Sequence, residues 1–228
     1  MRIGSNEDMN VILFGATGMV GQGVLRECLI DRDVESVLSI GRSATGQQHP
    51  KLRELEHKNF LDFSTIEKEL SGFDACFFCL GVSSAGMPKE DYRRITYGFT
   101  MAAAQTLARL NPGMTFVYVT GQGTNSKSAF NWARVKAETE NALLALPFRA
   151  AYMFRPGAIV PLHGVQSKTK LYRLIYAVMG PALPILKAWM PNFVTSTEQL
   201  GRAMLQVAKE GASTPILENA HINKLWGS

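Results

Sequence analysis

The stretch NVILFGATGMVGQGV, residues 10–24, decides how the rest of the chain is read. Its first five residues, ending at Phe14, hold an apolar run over Val11–Phe14 with β-branched Val11 and Ile12. Bounded by Gly15, such a run reads as a buried strand. The period then changes. Val20, Val24, Leu25, Cys28 and Leu29 share one helical face, which predicts a helix over about residues 19–30. Gly15, Gly18 and Gly21 lie at the junction. Gly15 permits a tight turn, Gly18 lets backbone approach a pyrophosphate, and Gly21 brings the helix close to the strand. The start of a helix offers unpaired N–H groups and partial positive charge to an anion. Three spaced glycines carry weight because a strand precedes them, a helix follows, and the two open a βαβ unit.

The same alternation continues along the chain. VESVLSI (34–40) is a second strand, a short strand ends near Phe60, and TIEKEL is a short helix. FDACFFCL (73–80) is a strand, followed by a long helix over about 89–110. MTFVYVT (114–120), a helix at about 130–146, and FRAAYMFRP (148–156) complete the series. Fully apolar strands with short connections imply a parallel sheet covered on both faces. The predicted fold class is α/β, a doubly wound parallel sheet (Rossmann fold) of six or more strands. Residues 1–228 read as a single NAD(P)-binding Rossmann-like domain. The alternation fades in the last third, where residues of about 160–195 are expected to form a small cap on the substrate side.

Composition narrows the classes of function. The net charge of +5 comes without any block of like charges, so no nucleic-acid partner is expected. Cys76 and Cys79 form a C-x-x-C, but on a strand these positions point to opposite faces, which disfavours a shared metal or disulfide. The four histidines lack ligand spacing, and no metal site is predicted. Three cysteines and a polar start, MRIGSNED, lead to the expectation of a cytoplasmic protein ordered from near Met9. The stretch 171–191 is nearly long enough to cross a bilayer. It is interrupted by Gly180, Pro181 and Pro184 and carries Arg173 and Lys187, so no transmembrane segment is expected. Its helical stripe, Leu171 to Met179, suits packing on the domain or against a substrate pocket.

The end of the second strand selects the nucleotide. An acidic residue there would bind a ribose 2′-hydroxyl. This chain has LSIGRSATG, with Arg42 and Ser43 in that place. Arginine suits a 2′-phosphate through charge-assisted hydrogen bonds, so NADP(H) is expected over NAD(H).

These segments carry a family resemblance. GATGMVG resembles the glycine loop of the atypical and extended short-chain dehydrogenase/reductases, with Thr17, Met19 and Val20 among its glycines. The pattern is similar to that of the small atypical branch related to the NADPH-binding Tat-interacting tumour-suppressor protein. The resemblance implies that Asp62 and Phe63 of FLDF lie on the adenine side. It implies that Leu80, Gly81 and Val82 of CLGVSS lie beside the cofactor ribose. VYVTG would end at the catalytic Ser/Thr region, matched here by Thr120. In FRPGAIVP, Pro156 and Gly157 would approach the nicotinamide.

The family's acid–base pair is Tyr-x-x-x-Lys, whose spacing puts both side chains on one helix face. In NWARVK the lysine is Lys136, and Trp132 stands where the tyrosine belongs. An indole N–H only donates, so Trp132 cannot both give and take a proton near neutrality. The resemblance implies that Lys136 holds the nicotinamide ribose and, with Thr120, forms the catalytic remnant. Trp132, Tyr172 and Tyr176 are candidates for the substrate pocket.

Two functions stay open. One is an NADP-dependent oxidoreductase or epimerase-like enzyme on an unknown small carbonyl or hydroxyl substrate, using a displaced acid. The other is a non-catalytic NADP(H)-binding regulator or redox sensor acting through a protein partner, by analogy within the branch. A homodimer is compatible with either. An enzyme requires an ionisable group near the nicotinamide; a regulator is compatible with Trp132 filling that place.

Overall fold

The computed structural model describes residues 8–165 and 192–225. Seven parallel strands form the central sheet: β1 (Met9–Phe14), β2 (Val34–Gly41), β3 (Leu52–Glu56), β4 (Ala75–Phe78), β5 (Thr115–Val119), β6 (Ala150–Arg155) and β9 (Ile216–Glu218). Their spatial order is β3-β2-β1-β4-β5-β6-β9. A separate parallel pair joins β7 (Ala158–Val160) to β8 (Val194–Ser196). In the centre, Val11–Phe14 pair with Val37–Ile40 on one side and Ala75–Phe78 on the other. The chain therefore reverses its direction of progress between β1 and β4, which opens a crevice at their carboxyl ends.

The strands are apolar on both faces because helices cover both. Leu13, Phe77, Val117 and Phe154 pack with Val24, Leu25 and Cys28 of α1 (Met19–Ile30) and Leu200 and Met204 of α5 (Thr197–Glu210). Phe14, Ile40, Phe78 and Tyr118 face the other way. They pack with Ala104 and Leu107 of α3 (Thr100–Leu110) and Leu143 of α4 (Asn131–Leu144). Each large apolar side chain removed from water contributes roughly 1.5–3 kcal/mol. Cys76 belongs to the second layer, whereas Cys79 packs against the first. A short α2 (Lys89–Arg93) leads through a π-helical turn, Arg94–Phe99, into α3. The last described helix is α6 (Asn219–Leu225).

Two features differ from the sequence expectations. The third strand lies at Leu52–Glu56 and not at Phe60. His57 closes a turn after it, its Nε2 lying 2.7 Å from Asn59 O and 2.8 Å from Asp62 O. The short helix after this turn is a 3-10 helix, Ser64–Glu69. The expected apolar helix at 171–179 and most of the cap of about 160–195 lie outside the described residues. Among the described residues, no helix is long and apolar enough to cross a membrane.

Candidate functional site

The crevice forms a groove of about 1030 Å³ along the carboxyl ends of the sheet. Its floor begins at the glycine turn. Gly15 has φ +83°, a left-handed conformation natural to glycine. A Cβ on Gly15 would lie 2.7 Å from Leu80 N, so the turns after β1 and β4 touch. Gly18 N donates to Gly15 O at 2.9 Å, which closes the loop just before α1 begins. Gly21 lies beneath this loop and outside the lining; a Cβ there would lie 2.0 Å from Gly15 O. Thr17, Gly18, Met19 and Val20 line the groove around the start of α1. This cradle, with a helix N-terminus behind it, fits a pyrophosphate.

At the β2 end, Arg42 and Ser43 line the groove and are exposed. Two carboxylates lie near this loop but are turned to its backbone: Glu54 accepts from Thr45 N at 2.6 Å and Glu56 from Ala44 N at 3.3 Å. No Asp or Glu contributes to the lining among the described residues. Leu80, Gly81 and Val82 form the wall after β4.

Asp62 and Phe63 do not line the groove. Asp62 is exposed and accepts from Ser64 N at 2.9 Å, and this bond holds its carboxyl below the ordinary range. Phe63 is buried, edge-on to Phe14 with ring centres 5.9 Å apart. Phe60, three residues earlier, reaches the groove instead. An apolar ring in a polar turn is the sequence signal for it, one that resembles the end of a short strand equally well.

Pro156, Gly157, Thr120 and Lys136 line the other end. Lys136 Nζ donates to Thr120 O at 2.6 Å. Desolvation lowers the Lys136 ammonium to about 8, with the Glu140 carboxylate opposing that fall. The Thr120 hydroxyl turns inward and donates to Glu140 Oε1 at 2.7 Å. Glu140 is buried and receives Arg155 through Nε at 3.0 Å and Nη2 at 2.5 Å. Arg155 Nη1 reaches Glu218 at 2.9 Å. Thus Thr120 presents its backbone carbonyl to Lys136 and its hydroxyl to the interior.

Trp132 is not part of the groove lining. A Cβ on Gly123 would lie 3.3 Å from Trp132 Cη2, so the indole packs behind the turn whose Gly123 has φ +86°. Gln122 and Gly123, which no sequence motif marks out, line the groove in front of it. Tyr172 and Tyr176 lie outside the described residues. Tyr118 and Tyr152 are buried in the sheet layers, in keeping with their strand positions.

No family model matches the chain. It is 29% identical over 154 residues to protein FMP52-1, mitochondrial, of Scheffersomyces stipitis, covering 67% of this chain and 68% of that protein. It is 24% identical over 157 residues to protein HTATIP2 of Rattus norvegicus, covering 68% and 64%. A short chain dehydrogenase family protein from Francisella tularensis has the same fold: TM-score 0.68, 14% identity, 92% of this chain and 95% of that one covered. So does the Bordetella bronchiseptica enzyme WbmF, solved in complex with NAD+, with TM-score 0.67, 14% identity, and 95% and 77% covered. The cytoplasmic expectation is overturned by these relatives, since FMP52-1 is named as a mitochondrial protein. A polar first segment is a poor guide to compartment, because signal-peptide hydrophobicity is only one kind of address.

Proposed function

We propose that this atypical short-chain dehydrogenase/reductase-like chain binds NADP(H) and acts as an oxidoreductase or epimerase-like enzyme on a small carbonyl or hydroxyl compound. One observation carries the reading: a glycine-cradled groove holds cations at both ends, Arg42 and Lys136, and no carboxylate among its described lining. The glycine turn and the start of α1 would hold the pyrophosphate. Arg42 and Ser43 would hold the 2′-phosphate, Leu80–Val82 the ribose side, and Pro156 and Gly157 the nicotinamide. When bound, the reduced nicotinamide supplies a hydride. WbmF, which shares the fold, was solved with NAD+. The mitochondrial name of FMP52-1 supports a mitochondrial place for this chain as well.

A purely regulatory role fits the groove less well. It would suit an indole occupying the place over Lys136, whereas Trp132 packs behind Gly123. The single-domain reading of residues 1–228 belongs to the same proposal.

Calorimetric titration of NADPH and NADH against the wild type and Arg42→Ala tests the nucleotide assignment. A charge-assisted hydrogen bond contributes roughly 1.5–3 kcal/mol, or about 10- to 100-fold in affinity. The wild type is expected to prefer NADPH by that factor, and the variant to lose the preference. Equal wild-type affinities would reject NADP(H) selectivity.

A further inference from the structure

Three ionisable side chains line the groove among the described residues: Arg42, Cys79 and Lys136. Arg42 sits at the β2 end, and an arginine does not release its proton near neutral pH. Burial drives the Cys79 thiol far above its ordinary range, which makes it a poor donor. Lys136 stands at the opposite end, beside Gly121; a Cβ there would lie 3.6 Å from Nζ. One of its three N–H groups goes to Thr120 O. Two neighbouring donors are turned away from the substrate end. The Thr120 hydroxyl is committed to Glu140, and Trp132 is behind the Gly123 turn.

We propose that Lys136 is itself the general acid of this site, donating a proton from Nζ to the substrate oxygen in place of the absent tyrosine. This rests on the reading of the groove as an NADP(H) site. Burial supports it by bringing the ammonium to about 8, near the value at which a proton donor works best at neutral pH. The buried Glu140 carboxylate one turn along α4 restrains the fall. Arg155 of β6 pairs with Glu140 and reaches on to Glu218 of β9, and the Tyr118 phenol on β5 senses the Glu140 charge and that of Tyr92 on α2; both phenols are driven upward chiefly by desolvation.

The step balances without a further reagent. Hydride supplied to the carbonyl carbon sends the C=O π pair to oxygen. That oxygen takes a proton from Lys136 Nζ, so an N–H bond breaks and an O–H bond forms. The carbonyl is reduced, the dinucleotide is oxidised, and the neutral amine regains a proton from water.

The first test needs no turnover. The unliganded wild type is labelled with acetic anhydride across pH 6–11, and modification of Lys136 is followed by mass spectrometry. The expected midpoint is about 8, against about 10.4 for a free lysine side chain. A midpoint near 10, or no labelling, would overturn the proposal, since the amine would be an ordinary cation or would not face the groove. The second test compares Lys136→Arg with the wild type, using NADPH calorimetry and NADPH oxidation with a panel of small ketones, aldehydes and quinones. The arginine keeps a cation for the nucleotide but cannot give up its proton. Binding should stay within a few fold while turnover falls about 10²–10⁴-fold. Wild-type turnover should also decline above about pH 8, where the donor loses its proton. Undiminished turnover in Lys136→Arg rejects the assignment. A wild type that binds NADPH but reduces nothing rejects the assignment alone; one that binds no NADPH rejects the site reading as well.

Discussion

Thr120 and Glu140 are joined by a 2.7 Å hydrogen bond from the threonine hydroxyl to Oε1, one helical turn beyond Lys136. That bond decides what Thr120 can do, because its proton is directed into the protein. It also belongs to a larger clamp. Glu140 receives two nitrogens of Arg155, and Arg155 reaches Glu218, so α4, β6, β9 and the residue after β5 are tied together through Glu140 and Arg155. Glu140→Ala would leave a partly buried guanidinium without its main counter-charge. Removing one partner of a buried pair typically costs about 3–5 kcal/mol. Urea unfolding should show a loss of that size, with a smaller loss for Glu140→Gln, which can still accept from Thr120. A cost under about 1 kcal/mol for Glu140→Ala would mean that the clamp does not hold this end of the groove.

The glycine turn separates a structural requirement from a binding one. Gly21→Ala places Cβ 2.0 Å from Gly15 O, so backbone must move and both stability and nucleotide binding should suffer. Gly18→Ala meets the same oxygen at 3.3 Å, a contact a small shift relieves. That variant should fold and yet bind NADPH at least about tenfold more weakly, because the methyl enters the cradle proposed for phosphate. Gly113→Ala, with nothing within 4 Å, serves as the control. Thermal unfolding read beside calorimetry checks all three. Normal NADPH binding by folded Gly18→Ala would move the phosphate away from this loop.

Lys136 carries a cost in the unliganded protein. Its folded value is about 8 and its unfolded value about 10.4, so between these the unfolded chain holds more protons. Stability attributable to this group therefore rises with pH across that window, and the cost is fully present below pH 8. Lys136→Met should then stabilise the protein at pH 7 by about 1–2 kcal/mol, a figure kept low because the side chain is only partly buried. The advantage should vanish by pH 10. Urea midpoints of both proteins at the two pH values measure it. Destabilisation at both would show that the bond to Thr120 O outweighs the desolvation of the charge.

Elements with strong periodicity are legible in the amino-acid order alone. The run ending at Phe14, the stripe of α1 and the apolar β4 announce themselves by period and by the glycines between them. The edge strand β3 does not. Its sequence, LRELE, carries charges at Arg53, Glu54 and Glu56 and breaks the alternation, so the nearby Phe60 is the stronger apolar signal. The strands β7, β8 and β9 have three residues each, too few for a period to register. The π-helical turn at Arg94–Phe99 is hidden for a related reason, since one extra residue in a helical pattern barely changes its apolar spacing. In the site, glycine spacing and Arg42 are legible because their chemistry is local. The inward turn of the Thr120 hydroxyl is not, because it depends on Glu140, twenty residues away in sequence.

Trp132 supplies the last prediction. Its indole rests against Gly123, at the back of the turn that faces the groove. Trp132→Tyr would exchange that ring for a smaller one and bring a phenol to the helix position one turn before Lys136. The smaller ring leaves space behind Gly123, so a stability loss of about 1–3 kcal/mol is expected. The phenol, close to a lysine cation, would have its proton made easier to give. With that ring held against Gly123 and outside the groove lining, turnover of small carbonyl compounds should nevertheless stay within a few fold, and a rise of about tenfold or more, within the range a positioned acid contributes, would show that the phenol reaches the substrate. NADPH affinity should stay as it was, because the glycine loop, Arg42 and Lys136 are untouched. NADPH oxidation by both proteins over the same panel, with calorimetry as the binding control, measures this. Unchanged turnover at unchanged affinity would mean that a residue-132 ring keeps its place behind the turn. Turnover that falls would show that the indole itself supports the arrangement of Gln122 and Gly123 on which the wild-type reaction depends.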